Sequence, residues 1–290
     1  MVAVTMRWSD TVEDYYPVEP KPRWGHGAPP NRHLKRVLEL GRSGYRATLL
    51  ELDSYRNIFH RVGFSETPDS LEPSWNNYWF SVLDAASLMG FLLCRRPKRY
   101  LEVGSGHSTL FARFAIEAGS LPTQITSIDP EPRRDIDRIC DRVVRTSLER
   151  SELDQFQELE RGDILFLDGS HRVFTNSDVT TLFFDIIPNL PPGILIHLHD
   201  IFLPDDYPPV WNNRLYSEQY LLGAMLLCNS PPFRIVLPNY FVCTDPELSG
   251  IVRTMFASRS SQPDIPFFYY DGDNGFPGVS FWIEVSSQNS

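Results

Sequence analysis

Histidines and aspartates cluster at the ends of two apolar runs. Asp163-Ile-Leu-Phe-Leu-Asp168 leads into Asp168-Gly-Ser-His171, and Gly193-Ile-Leu-Ile-His-Leu-His199 ends at Asp200. Each run reads as a buried strand. In an open α/β sheet the carboxyl ends of such strands share one rim, so these side chains converge there. Imidazoles and carboxylates in one cleft can move protons or bind a divalent cation. His171, His199 and Asp168 are therefore the candidate catalytic residues. His197 lies one pleat deeper on the face of His199 and reads as a core residue.

A second chemical feature is Tyr100-Leu-Glu-Val-Gly-Ser-Gly-His-Ser-Thr109, an apolar strand end, two glycines one residue apart, then an apolar run from Leu110 to Ala118. Strand, tight turn and helix follow from that composition. Glycines let a backbone approach a ligand, and the opening helix points free N–H groups at it. A dinucleotide fingerprint needs a third glycine three residues on, where His107-Ser108-Thr109 stands, so NAD fits poorly. The stretch resembles motif I of the class I S-adenosylmethionine-dependent methyltransferases. Glu102 is positioned to face a ligand's ammonium, and Asp129, ending the next strand, to hold a ribose diol. The expected cofactor contacts are Glu102, Gly104, Ser105, Gly106, Ser108, Asp129 and Asp168, with Ser147 beyond the third strand near an adenine.

The elements that must position these groups alternate in the manner of a mostly parallel sheet. Strands are expected at Gln124–Ile128, Arg142–Thr146, Phe233–Leu237 and Val279–Glu284 besides those above, the last two antiparallel. Helices are expected at Tyr45–Val62, Tyr78–Cys94, from Arg133, at Glu149–Glu160, from Thr175 to Pro188, at Asn213–Cys228, and from Pro246 to about Ser258 with Asp245 as cap. The expected fold is a class I methyltransferase, Rossmann-like α/β sheet of seven strands with helices on both faces. Residues 1–43, rich in Pro, Arg and aromatics, read as an arm without sustained period. Residues 44–97 form an N-terminal helical layer, and 98–290 the core, with lid segments at 201–216 and 262–278.

Composition narrows the partners. The 290-residue chain is 42% hydrophobic with net charge −10 and no extended Lys/Arg run. That is enough for a sizeable core and argues against nucleic-acid binding. The four cysteines are scattered without a CxxC pair, and no signal-peptide core is visible, as expected of a reduced, cytoplasmic protein. No stretch spans a bilayer. A small-molecule substrate is expected, and a homo-oligomer is compatible with the composition.

From Asp168 to Val179 and from Ile196 to Pro208 the chain resembles methyltransferases related to the cephalosporin hydroxylase and macrolide sugar O-methyltransferase families. The likeness spans roughly Trp75 to Asn229. It implies S-adenosyl-L-methionine as cofactor, a metal held by Asp168 and Asp200, and His199 where another carboxylate is usual. A histidine shifts the expected ion from Mg²⁺ toward Mn²⁺, Fe²⁺ or Zn²⁺, or toward none. The expected reaction is O-methylation of a hydroxylated small molecule in natural-product or sugar-like biosynthesis. One rival is a non-haem iron oxygenase using two histidines and a carboxylate on this scaffold. The other is a non-catalytic ligand-binding or scaffolding protein.

Overall fold

The computed structural model describes residues 19–66, 70–258, 264–266 and 276–287. The beginning of the arm and most of the lid segment 262–278 lie outside the described residues. The chain opens with α1 (Arg32–Leu40), α2 (Arg42–Asp53), α3 (Arg56–Phe59), the short parallel pair β1 (Gly63–Ser65) and β2 (Ser74–Asn76), and α4 (Val82–Arg95). Alternation follows: β3 (Arg99–Val103), α5 (His107–Ala118), β4 (Gln124–Ile128), β5 (Arg142–Val144), α6 (Asp154–Gln157), β6 (Ile164–Leu167), α7 (Asp178–Thr181) and β7 (Leu195–Leu198). The chain closes with α8 (Glu218–Leu226), β8 (Phe233–Pro238), α9 (Asn239–Thr244), α10 (Pro246–Phe256) and β9 (Phe281–Val285).

Seven strands form one sheet in the order β5-β4-β3-β6-β7-β9-β8. Pairing is parallel from β5 through β7, and β9 runs antiparallel to both neighbours. All four residues of β6 and of β7 are buried, as a sheet covered on both faces requires. Helix α4 packs on α5 and α2, and α10 lies against α2. The expected α/β class and seven-stranded architecture are therefore present.

The helices differ more from expectation. Arg32–Leu40, placed in the arm, is helical: Asn31 accepts the N–H groups of His33 and Leu34, and Leu34 and Leu38 are buried four residues apart. The Tyr45–Val62 helix breaks at Ser54, whose hydroxyl donates to the Glu51 carbonyl, although Leu49, Leu52, Phe59 and Val62 still face the core. Helix α4 starts at Val82, leaving Tyr78 and Trp79 outside it and exposed. The helix expected from Arg133 is only a 3₁₀ turn at Asp137–Ile139, and Glu149–Glu160 contains a 3₁₀ turn and the one-turn α6. Beyond α7 the backbone widens into a π turn at Leu182–Ile186 and a 3₁₀ turn at Ile187–Asn189. Pro188 has no N–H to return to the carbonyl four residues back. Asn213–Cys228 divides into a 3₁₀ turn at Pro209–Arg214, a left-handed Leu215, and α8. Asp245 does cap α10, accepting from Glu247 and Leu248.

Candidate active site

The strand order reverses beside β3, and the loops after β3, β4, β6 and β7 surround a cavity of about 650 Å³. Its floor is the glycine turn. Gly104 has φ +81°, and its N–H donates to the Ile128 carbonyl at 3.0 Å. A Cβ there would lie 1.9 Å from the Asp168 carbonyl oxygen, so only glycine lets the β3 and β6 loops pass each other. Asp129 Oδ2 accepts the Ser105 N–H at 2.7 Å, and Oδ1 accepts from Glu131 at 2.8 Å.

Gly104, Ser105, Asp129, Ser147, Asp168, His171, His199 and Asp200 all line the cavity. Glu102, Gly106 and Ser108, expected as cofactor contacts, do not. Glu102 is fully buried beneath the turn. Its carboxylate accepts from the hydroxyls of Tyr100 at 3.0 Å and Ser108 at 3.3 Å and from Thr109. Thr109 in turn accepts the Gly106 N–H at 3.0 Å. The side chain therefore braces the start of α5. Burial pushes the Glu102 carboxyl up to about 7, with the surrounding hydroxyls opposing it.

At the β6 and β7 ends lies a network of four carboxylates and two imidazoles. His171 Nδ1 is 2.9 Å from Glu218 Oε2, and its Nε2 is 3.1 Å from Asp168 Oδ1 and 3.5 Å from Asp200 Oδ2. His199 Nδ1 lies 3.5 Å from Asp168 Oδ1 and 3.4 Å from Asp200 Oδ1, and its Nε2 lies 3.4 Å from Asp84 Oδ2. Among the described residues neither His199 nitrogen has a hydrogen-bond partner, although both are buried. One ligand atom from each of Asp168, His199 and Asp200 falls in a group no wider than 4.8 Å.

The backbone is bent to make this network. His171 and Asp200 both have φ 56°, the left-handed region that side chains usually avoid. At His171 the bend turns its carbonyl toward the start of α8, where it accepts from Ser217 at 2.7 Å and Glu218 at 3.0 Å. The same turn brings Glu218 under the imidazole.

Charge pairing dominates the protonation. Burial acts against charging either imidazole, yet the adjoining carboxylates outweigh it and hold His171 and His199 well above the usual histidine range. Burial also pushes Asp168 up, but the charge on His199 and the hydrogen bond with the His171 ring bring it well below the usual carboxylate range. Asp200 and Glu218 are raised, burial being the larger effect. His197 is held well below the histidine range by burial. It stacks 3.9 Å from the Trp282 ring and takes no part in the site, as expected of a core residue.

Asp84 and Glu218 were not foreseen as members. Both are fully buried. Asp84 is the single acid among the apolar residues of α4 from Val82 to Leu93, an isolated charge that could have marked it.

Residues 101–201 match a family described as a methyltransferase domain. That span runs from β3 to just past Asp200 and contains both halves of the cavity floor. The strand order agrees with it. Residues 101–201 are a methyltransferase domain by this match, and the seven-stranded sheet around them has the class I methyltransferase fold.

No curated protein matches the sequence of this methyltransferase. Among solved structures it is similar to a Podospora anserina methyltransferase bound to SAH, at 16% identity over 91% of this chain and 100% of the other, TM-score 0.42. It is also similar to an O-methyltransferase from Bacillus cereus in complex with SAH, at 17% identity over 83% and 91%, TM-score 0.36. Among the described residues, no helix of the methyltransferase is long and apolar enough to cross a membrane.

Proposed function

We propose that the enzyme transfers the methyl group of S-adenosylmethionine to a hydroxyl oxygen of a small molecule. Asp129 would hold the ribose, the Gly104–Ser105 backbone the amino-acid portion, and the acceptor hydroxyl would dock at Asp168, His199 and Asp200. The observation that carries this reading is the Asp168–His171–His199–Asp200 network opening into the same cavity as Gly104 and Asp129. In the transfer the sulfur–methyl bond breaks as the oxygen–methyl bond forms, and the hydroxyl proton departs. Alignment of donor and acceptor and removal of that proton are what the protein must supply.

Of the two imidazoles, His199 is better placed to act on the acceptor. His171 has both nitrogens committed, to Glu218 and Asp168, and orients the network. Among the described residues His199 Nδ1 has no hydrogen-bond partner, and it faces the two aspartates.

The same atoms fit a divalent cation. An unpartnered buried nitrogen and two carboxylate oxygens point at one locus, and four carboxylates around two imidazoles leave negative charge that a cation would offset. Asp168, His199 and Asp200 would hold it, with His199 Nε2 directed at Asp84, the usual support for a ligating histidine. When bound, such an ion lowers a hydroxyl's pKa and orients it. One nitrogen among oxygen donors favours Mn²⁺, Fe²⁺ or Zn²⁺ over Mg²⁺.

Mass spectrometry of products from a panel of phenols and alcohols tests this reading. Gain of CH₂ that requires S-adenosylmethionine supports it. Gain of an oxygen atom instead would assign the scaffold to an oxygenase.

A further inference from the structure

The far wall of the cavity is built from a second, smaller aromatic core, separate from the main one. Phe202, Tyr207, Tyr240 and Val279 form it, and Trp211, Tyr216 and Phe276 pack on its surface, partly exposed. Those last three line the cavity. Trp211 and Phe276 both stand edge-on to the buried Phe202, at 5.1 and 4.9 Å between ring centres. Tyr216 lies 4.6 Å from the His171 ring, which joins this wall to the rim network. An aromatic wall beside polar chemistry suits a flat ring with a reactive substituent.

One cation stands on that wall. The Arg214 guanidinium lies 3.9 Å from the centre of the Trp211 ring and 5.6 Å from that of Tyr216, and it lines the cavity. It is half-buried, and among the described residues no carboxylate forms an ion pair with it. In a chain of net charge −10, where arginines such as Arg42, Arg99, Arg145 and Arg234 find acidic partners, that is informative. Its backbone is fixed: the Arg214 carbonyl accepts from Arg172 Nε at 3.0 Å, and the left-handed Leu215 follows. A guanidinium stacked on an indole keeps its edge free, and that edge matches a carboxylate.

This inference rests on the methyl-transfer reading above and adds the acceptor class. We propose that the acceptor is a planar aromatic hydroxy acid, its ring held against Trp211, Tyr216 and Phe276 and its carboxylate by Arg214. The ring hydroxyl then faces Asp168, His199 and Asp200. A neutral sugar would offer the Arg214 guanidinium no anion to pair with.

The test is calorimetric, on the full chain saturated with S-adenosylhomocysteine. The probes are protocatechuate and its carboxamide, which keeps the ring and hydroxyls but removes the charge. The carboxylate should bind roughly 10- to 100-fold more tightly than the amide, the range expected for a hydrogen bond to a charged group. Arg214→Gln should erase that preference while leaving S-adenosylhomocysteine affinity unchanged, and Arg214→Lys should restore part of it. Equal binding of acid and amide, or binding of neither, overturns the proposal. So does loss of S-adenosylhomocysteine affinity in Arg214→Gln, which would assign the guanidinium to the cofactor's own carboxylate. Failure of the wild-type chain to bind the cofactor at all would instead count against the methyl-transfer reading itself.

Discussion

Asp84 and His199 face each other from a helix and a strand end that are more than a hundred residues apart, Oδ2 lying 3.4 Å from Nε2. Asp84 is not free to move away. Its carboxylate accepts from the backbone N–H groups of Val279 at 2.9 Å and Ser280 at 2.8 Å and from Asn239 Nδ2 at 2.7 Å. Helix α4, strand β9 and the end of β7 are thereby tied at one buried carboxylate, which also sets the ring that faces the cavity.

Replacing Asp84 should therefore cost both stability and turnover. Asp84→Ala leaves the Val279 and Ser280 backbone donors buried without that acceptor, and a loss of roughly 3 kcal/mol is expected in urea unfolding. Turnover should fall roughly 10- to 100-fold even at temperatures where the variant is folded, as when an orienting partner is lost from a functional histidine.

Gly104→Ala should abolish cofactor binding. The substitution sets a methyl group 1.9 Å from the Asp168 carbonyl oxygen at a φ of +81°, so the β3 and β6 loops must separate. A stability loss of at least about 1–3 kcal/mol is expected from the backbone conformation alone, read in thermal unfolding.

The seven strands and the two rim clusters were legible in the sequence because apolar runs ending in Asp129, Asp168 and Asp200 carry their own boundaries. The surroundings of Glu102 were not legible for a physical reason: alternation places it inward, and sequence does not reveal that Tyr100, Ser108 and Thr109 supply its hydrogen bonds. Asp84 and Glu218 reach the histidines only through tertiary packing, from segments with no periodic relation to β6 or β7. The helices after Arg133 and Glu149 were overextended because composition favours a helix there, whereas tertiary packing keeps only single turns.

Glu102 gives the fold a pH dependence with a definite sign. Its folded pKa, about 7, exceeds the ordinary 4.5, so the folded state holds its proton more tightly than the unfolded chain does. Stability should fall as pH rises from 4.5 through 7, by on the order of 3 kcal/mol from this group. In Glu102→Gln that component should disappear, leaving a flatter stability profile between those pH values in denaturant titrations. An unchanged slope in the variant would contradict the assignment.

Chelation separates the two halves of the cavity. After treatment with EDTA, methyl transfer should drop while calorimetric affinity for S-adenosylmethionine persists, and Mn²⁺ or Fe²⁺ should restore turnover more effectively than Mg²⁺. His199→Ala should remove the response to added metal. Full activity in chelator would contradict a role for a metal in the reaction.

The most direct measurement is calorimetric titration of the wild-type chain and Asp129→Ala with S-adenosylmethionine. The account predicts saturable one-to-one binding by the wild-type chain and its loss in the variant, since Asp129 both lines the cavity and anchors the Ser105 N–H. Absence of binding by the wild-type chain, or equal binding by Asp129→Ala, would contradict the placement of the cofactor on which the rest depends.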